Sequence, residues 1–97
     1  MKHAVLWLPE ALQDIQRLHN FLAAKNRDAA ADAILCIQAA VRRLELFPEI
    51  GRRMDTDLSR REIFAAFGAG AYVVRYRLNA EGNPVIVRVW HSREHRL

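Results

Sequence analysis

Apolar positions along this chain change period twice, from two to 3.6 and back to two, and the changes mark its elements. A short apolar run at residues 4–8 holds Val5 and Trp7 and has the length and composition of a strand. Pro9 closes that run and suits the first position of a helix, where a missing N–H costs nothing. Ala11, Ile15, Leu18 and Leu22 then recur at helical spacing, with Glu10 and Asp14 near the N-terminus to favour the helix dipole. Asn26, Arg27 and Asp28 interrupt the pattern, and Asp28 is the expected N-cap of a second helix. There Ala30, Ala33, Ile34, Ile37, Ala40, Val41, Leu44 and Phe47 form an almost unbroken stripe. It predicts a helix of about 20 residues, roughly 30 Å long. The short connection predicts an antiparallel helical hairpin, whose alanines let the two axes approach closely.

Pro48 stops the second helix. Residues 47–53 read as a turn-rich exit and 55–59 as a polar loop. Strands are predicted at 61–67, 71–78 and 85–91, joined by a flexible connection at 68–70 and a hairpin loop at 79–84. In the middle strand Tyr72, Val74, Tyr76 and Leu78 share one face, and Val73, Arg75 and Arg77 the other. In the last, Val85, Val87, Val89 and His91 alternate with Ile86, Arg88, Trp90 and Ser92. The order is β-α-α-β-β-β, an α/β fold of the α+β kind. A helical hairpin would cover one face of a small, largely antiparallel sheet. Ala33, Ile34, Ile37, Val41, Leu44, Tyr72, Val74 and Val87 are the expected core.

Composition narrows the class. A chain of 97 residues with 52% hydrophobic and 27% charged residues makes one folded domain, spanning 1–97. A single cysteine excludes an intramolecular disulfide, and Cys36, beside the apolar stripe, reads as a structural thiol. No apolar run approaches the roughly 20 residues that span a bilayer. The first residues lack the long apolar stretch of a signal peptide, so the expected location is cytoplasmic.

Charge changes the picture more. Residues 1–51 carry six Lys/Arg and six Asp/Glu, while residues 52–97 carry nine against five, so the whole net charge of +4 lies in the second half. A neutral scaffold and a basic surface point to an anionic partner. The sheet face away from the helices would present Arg75, Arg77 and Arg88, with Trp90 beside them. Such a face holds phosphates by forked hydrogen bonds and stacks on bases, or receives an acidic peptide. Other chemistry is sparse. His91 and His95 have a zinc-like i, i+4 spacing but no evident third ligand, and no metal or cofactor is expected. Ser59, Ser92, Asp55 and Asp57 make no nucleophile arrangement. Gly68 and Gly70 join two strands and not a strand and a helix, as a phosphate loop requires. Trp7 and Trp90 read as packing residues.

Several short pieces carry a resemblance when taken in order. They are Pro9-Glu10-Ala11 with Asp14-Ile15, then Leu44 followed by Pro48 and Gly51-Arg52, then Arg61-Glu62-Ile63. Tyr72-Val73-Val74-Arg75-Tyr76-Arg77 comes next, and Ile86-Val87-Arg88-Val89-Trp90-His91 with Arg93 ends the series. Over nearly its whole length the chain resembles the RelE/ParE superfamily of bacterial type II toxin–antitoxin toxins. That resemblance implies a small cytoplasmic toxin wrapped by a cognate antitoxin, and is compatible with a homodimer or a heterotetramer with that antitoxin. ParE-like members poison DNA gyrase, while RelE-like members cut mRNA on the ribosome. RelE-like enzymes use clustered lysines and arginines with a tyrosine near the C-terminus. This chain has no lysine after Lys25 and no tyrosine after Tyr76.

The preferred expectation is therefore a ParE-like gyrase inhibitor without catalytic residues. Its surface for target or antitoxin would comprise Arg61, Arg75, Arg77, Arg88, Trp90, His91, Arg93 and Arg96. The alternative is a ribosome-dependent nuclease with His91 as acid–base group beside Arg61 and Arg93, because arginine supplies cations but never a base. A plain nucleic-acid-binding module is the third reading.

Overall fold

In the structure, a computed structural model that describes residues 2–94, two helices lie on one face of a five-stranded sheet. The elements are β1 (Leu6–Trp7), α1 (Pro9–Ala23), α2 (Arg27–Arg42), β2 (Arg52–Arg53), β3 (Arg60–Phe67), β4 (Gly70–Leu78) and β5 (Pro84–His91). Strand order is β1-β5-β4-β3-β2; β1 runs parallel to β5 and every other pair is antiparallel. The expected helical hairpin on a largely antiparallel sheet is thus what the chain forms. Ala11 and Leu18 of α1, with Ala33, Ile37 and Val41 of α2, close over Ile63, Tyr72, Val74, Tyr76, Ile86 and Val89. Small residues at the hairpin contact are fully buried, which lets the helices sit close to each other and to the sheet.

Four details depart from the sequence expectation. Asn26, not Asp28, caps α2: its side-chain oxygen accepts the Ala29 N–H at 3.1 Å, and Asp28 lies in the first turn. The helix tightens to a 3-10 turn at Arg43–Glu45, which buries Leu44 but leaves Phe47 58% exposed, while Ile34 is only half-buried. Arg52 and Arg53, read as part of a turn, form a short strand on β3. Last, β5 carries a bulge: Arg75 pairs with Arg88 and Tyr76 with Ile86, so Val87 is left over. Ile86 and Val89, not Val87, join the main core, and Val87 is buried outside it.

Candidate functional site: the arginines and His91

Register places the basic residues before any side chain is considered. Arg52, Glu62, Arg75 and Arg88 stand side by side across β2, β3, β4 and β5, on the sheet face away from the helices. Beside this row lie Phe64, Val73 and Trp90 on one side, and Arg60 with Arg77 on the other. The expected basic face exists, and most of its cations are already engaged. Arg75 donates to Glu62 Oε2 through Nε at 3.0 Å and Nη2 at 2.9 Å, and its guanidinium lies 4.7 Å from the Trp90 ring centre. Arg88 starts from this row, yet its guanidinium ends on α1, donating to Asp14 at 2.7 and 3.1 Å. Arg77 makes no side-chain hydrogen bond or ion pair among the described residues.

Asp14 is the residue that sequence reasoning read too simply. It sits on the buried stripe between Ala11 and Leu18 and is only 4% exposed. Besides Arg88, its carboxylate accepts the Val89 N–H at 2.8 Å and Arg17 Nη2 at 3.2 Å. Arg17 also donates to the Val89 carbonyl at 3.3 Å. β1 ends at Trp7, so these two α1 side chains finish the edge of β5 that β1 leaves open. Burial pushes the Asp14 carboxyl up, but hydrogen bonds from Arg88, Val89 and Arg17 outweigh it and hold the group below the usual carboxylate range. Asp14 in turn raises Arg88. An acidic residue on an apolar stripe was the available signal.

Arg61 belongs to the other face. It pairs with Tyr76, and its Nη1 donates to the carbonyls of Glu49 at 2.9 Å and Gly51 at 3.0 Å. Tyr76 Oη donates to the Pro48 carbonyl at 2.7 Å and accepts the Gly51 N–H at 2.8 Å. Both residues therefore pin the loop between the helices and β2. Burial raises the Tyr76 hydroxyl, which stays a neutral donor.

His91 ends β5 on the helix side, paired with Tyr72, and its ring meets the Tyr72 ring edge-on at 5.0 Å. Nδ1 accepts the Arg93 N–H at 3.1 Å, which sets the proton on Nε2, and Nε2 faces the Phe67 carbonyl at 3.5 Å. Gly70 allows this packing: a Cβ there would stand 2.5 Å from Ser92 Oγ and 2.8 Å from the His91 ring. Glu94 accepts the His91 N–H at 2.8 Å and pairs with Arg17, so residues 92–94 are folded back onto α1. His91, Tyr72, Phe67 and Phe21 border an apolar groove of about 650 Å³, with Arg17 and Arg93 at its rim.

Arg61 and His91 pair with positions four residues apart on β4, which is ~13 Å along a strand. Of the residues named for a nuclease, Arg93 stands beside His91, while Arg61 lies farther along the sheet. Arg96 and His95 lie outside the described residues. Among the described residues no group of three His, Cys, Asp or Glu is placed to hold a metal. Among the described residues no helix is long and apolar enough to cross a membrane.

Comparison with known proteins agrees with this architecture. The model of the ParE toxin of the type II toxin–antitoxin system parDE matches residues 5–96. Toxin RelE3 of Caulobacter vibrioides is 34% identical over 88 residues, covering 91% of this chain and 92% of that protein. Toxin RelE1 of the same organism is 37% identical over 97 residues, covering 99% and 100%. Among solved structures, the chromosomal ParDE system of P. aeruginosa superposes with a TM-score of 0.75 at 14% identity, covering 93% of this chain and 96% of that one. The RelBE2 toxin–antitoxin complex of Mycobacterium tuberculosis gives 0.58 at 24% identity, covering 94% and 99%.

Proposed function

Because the chain belongs to the ParE toxin family of type II toxin–antitoxin systems, we propose that it acts in the cytoplasm as a non-catalytic inhibitor of DNA gyrase. A cognate antitoxin holds it in check. The observation that carries this reading is the commitment of His91 and Arg61, two of the three groups named for a nuclease, and of the sheet arginines Arg75 and Arg88. A general acid or base needs a ring nitrogen that can reach substrate. His91 uses Nδ1 on the Arg93 amide, turns Nε2 to the Phe67 carbonyl and rests on Tyr72. Arg75 and Arg88 face carboxylates, and Arg61 holds backbone carbonyls. These groups support a rigid surface better than a phosphorane-stabilising cluster. Solved ParDE and RelBE2 assemblies of similar fold support the antitoxin partnership.

The names of the two Caulobacter relatives favour ribosome-dependent mRNA cleavage as the second reading. Induced expression separates the two. The inhibitor reading expects a DNA-damage response and filamentation with mRNA intact, and His91→Ala still toxic. Codon-phased mRNA cuts that fall by roughly 10²-fold or more in His91→Ala, the scale of a lost general acid or base, would overturn it.

A further inference from the structure

Exposed apolar surface and net charge fall on opposite halves of this chain. Among the described residues, seven of the nine large apolar side chains left exposed belong to residues 1–51, whose charges cancel. Only Leu58 and Phe64 lie in the half that carries +4. Part of the apolar surface is gathered into a groove of about 500 Å³ bordered by β1, α1 and α2. Leu12 and Ile15, three apart on α1, line one side, and Ile34 and Gln38, four apart on α2, line the other. Trp7 reaches the groove from β1. Leu12 is 55% exposed there, and Leu35, next to Ile34 on α2, is 62% exposed. Apolar surface collected in this way marks a contact with another molecule.

The charges on its border say which molecule. Arg42 and Glu45 both line the groove, three residues apart, where α2 tightens into its 3-10 turn. Neither side chain makes a hydrogen bond or ion pair among the described residues. An acidic partner would satisfy Arg42 and repel Glu45, and a basic one would do the reverse. A second copy of this chain answers both at once. Across a two-fold axis, Arg42 of each copy meets Glu45 of the other, the self-complementarity that an isologous contact requires. The second half would set +4 against +4, so the neutral half is also where two copies repel each other least. We infer that the chain forms a two-fold dimer through this groove, burying Leu12 and Leu35 of both copies between two reciprocal Arg42–Glu45 pairs. The dimer depends on neither the antitoxin nor the gyrase reading.

The test is sedimentation equilibrium of the full chain without its antitoxin, with charge reversals at the two border positions. The wild-type chain should approach twice the 11.2 kDa of one chain as its concentration rises. Arg42→Glu alone, or Glu45→Arg alone, sets like charges together at both ends of the contact. Each should weaken the dimer by about tenfold or more. The two reversals combined restore opposite charges, and the double variant should dimerise within about threefold of wild type. Leu12→Asp, an exposed position near the start of α1, should abolish the dimer by placing a charge in the apolar seam. If either single reversal fails to fold, Leu12→Asp decides on the same readout. A wild-type chain that stays at the monomer mass would overturn the inference. So would a dimer indifferent to the single reversals and to Leu12→Asp, or a folded double variant that remains monomeric.

Discussion

Between Ala11 and Leu18, Asp14 accepts hydrogen bonds from two arginines and one strand amide while almost wholly buried. Removing it would leave the buried Val89 N–H unsatisfied and Arg88 without its partner. Asp14→Ala should therefore cost about 1–3 kcal/mol at neutral pH, read by urea unfolding. The sign of its pH dependence follows from a folded pKa below the unfolded one. Its contribution is complete above the ordinary carboxylate range, near about 3.9, and is lost as pH falls through the folded value. The gap between wild type and variant should accordingly close on the acid side. A variant with wild-type stability and a parallel pH curve would contradict this role. Charge near the N-terminus of a helix explains Asp14 only as a dipole effect; its position on the apolar stripe was the better clue. Arg61, Arg75, Arg88 and His91 were all legible as notable residues, but their partners were not. Glu49, Glu62, Asp14 and Arg93 become neighbours only through strand register and turns, which residue types alone do not encode.

Elements show the same division. Both helices, the hairpin and the three long strands follow from apolar period, because burial of one face is what that period reports. β2 escaped notice because Arg52-Arg53 carries no apolar alternation; backbone pairing with Arg61 and Glu62 makes it a strand. The β5 bulge escaped because Val85, Ile86, Val87 and Val89 are all apolar and all buried, so alternation cannot report a one-residue shift. The loop before β2 depends on one close approach. A Cβ on Gly51 would stand 2.5 Å from Tyr76 Oη and 2.6 Å from Cε1. Gly51→Ala should cost about 1–3 kcal/mol through overpacking, and Tyr76→Phe about 1–2 kcal/mol through the hydrogen bonds to Pro48 and Gly51. Unfolding midpoints within error of wild type for both would show that the loop is not anchored there.

For the whole molecule, a helical layer is built on a charge-neutral first half, and a basic sheet on a second half that carries the net +4. Several pieces of the family resemblance turn out to hold the architecture together. Gly51, Arg61 and Tyr76 meet at one loop, Asp14 and Arg88 at one strand edge, Tyr72 and His91 at one strand end. The fold was therefore legible even where the mechanism was not. What distinguishes a gyrase inhibitor from a nuclease is whether these engaged groups ever take part in chemistry. Supercoiling by purified gyrase, with this chain added and then titrated with its antitoxin, asks that most directly. The account predicts inhibition that the antitoxin reverses and that His91→Ala retains. Unaffected supercoiling, alongside ribosome-dependent mRNA cleavage that His91→Ala abolishes, would contradict it.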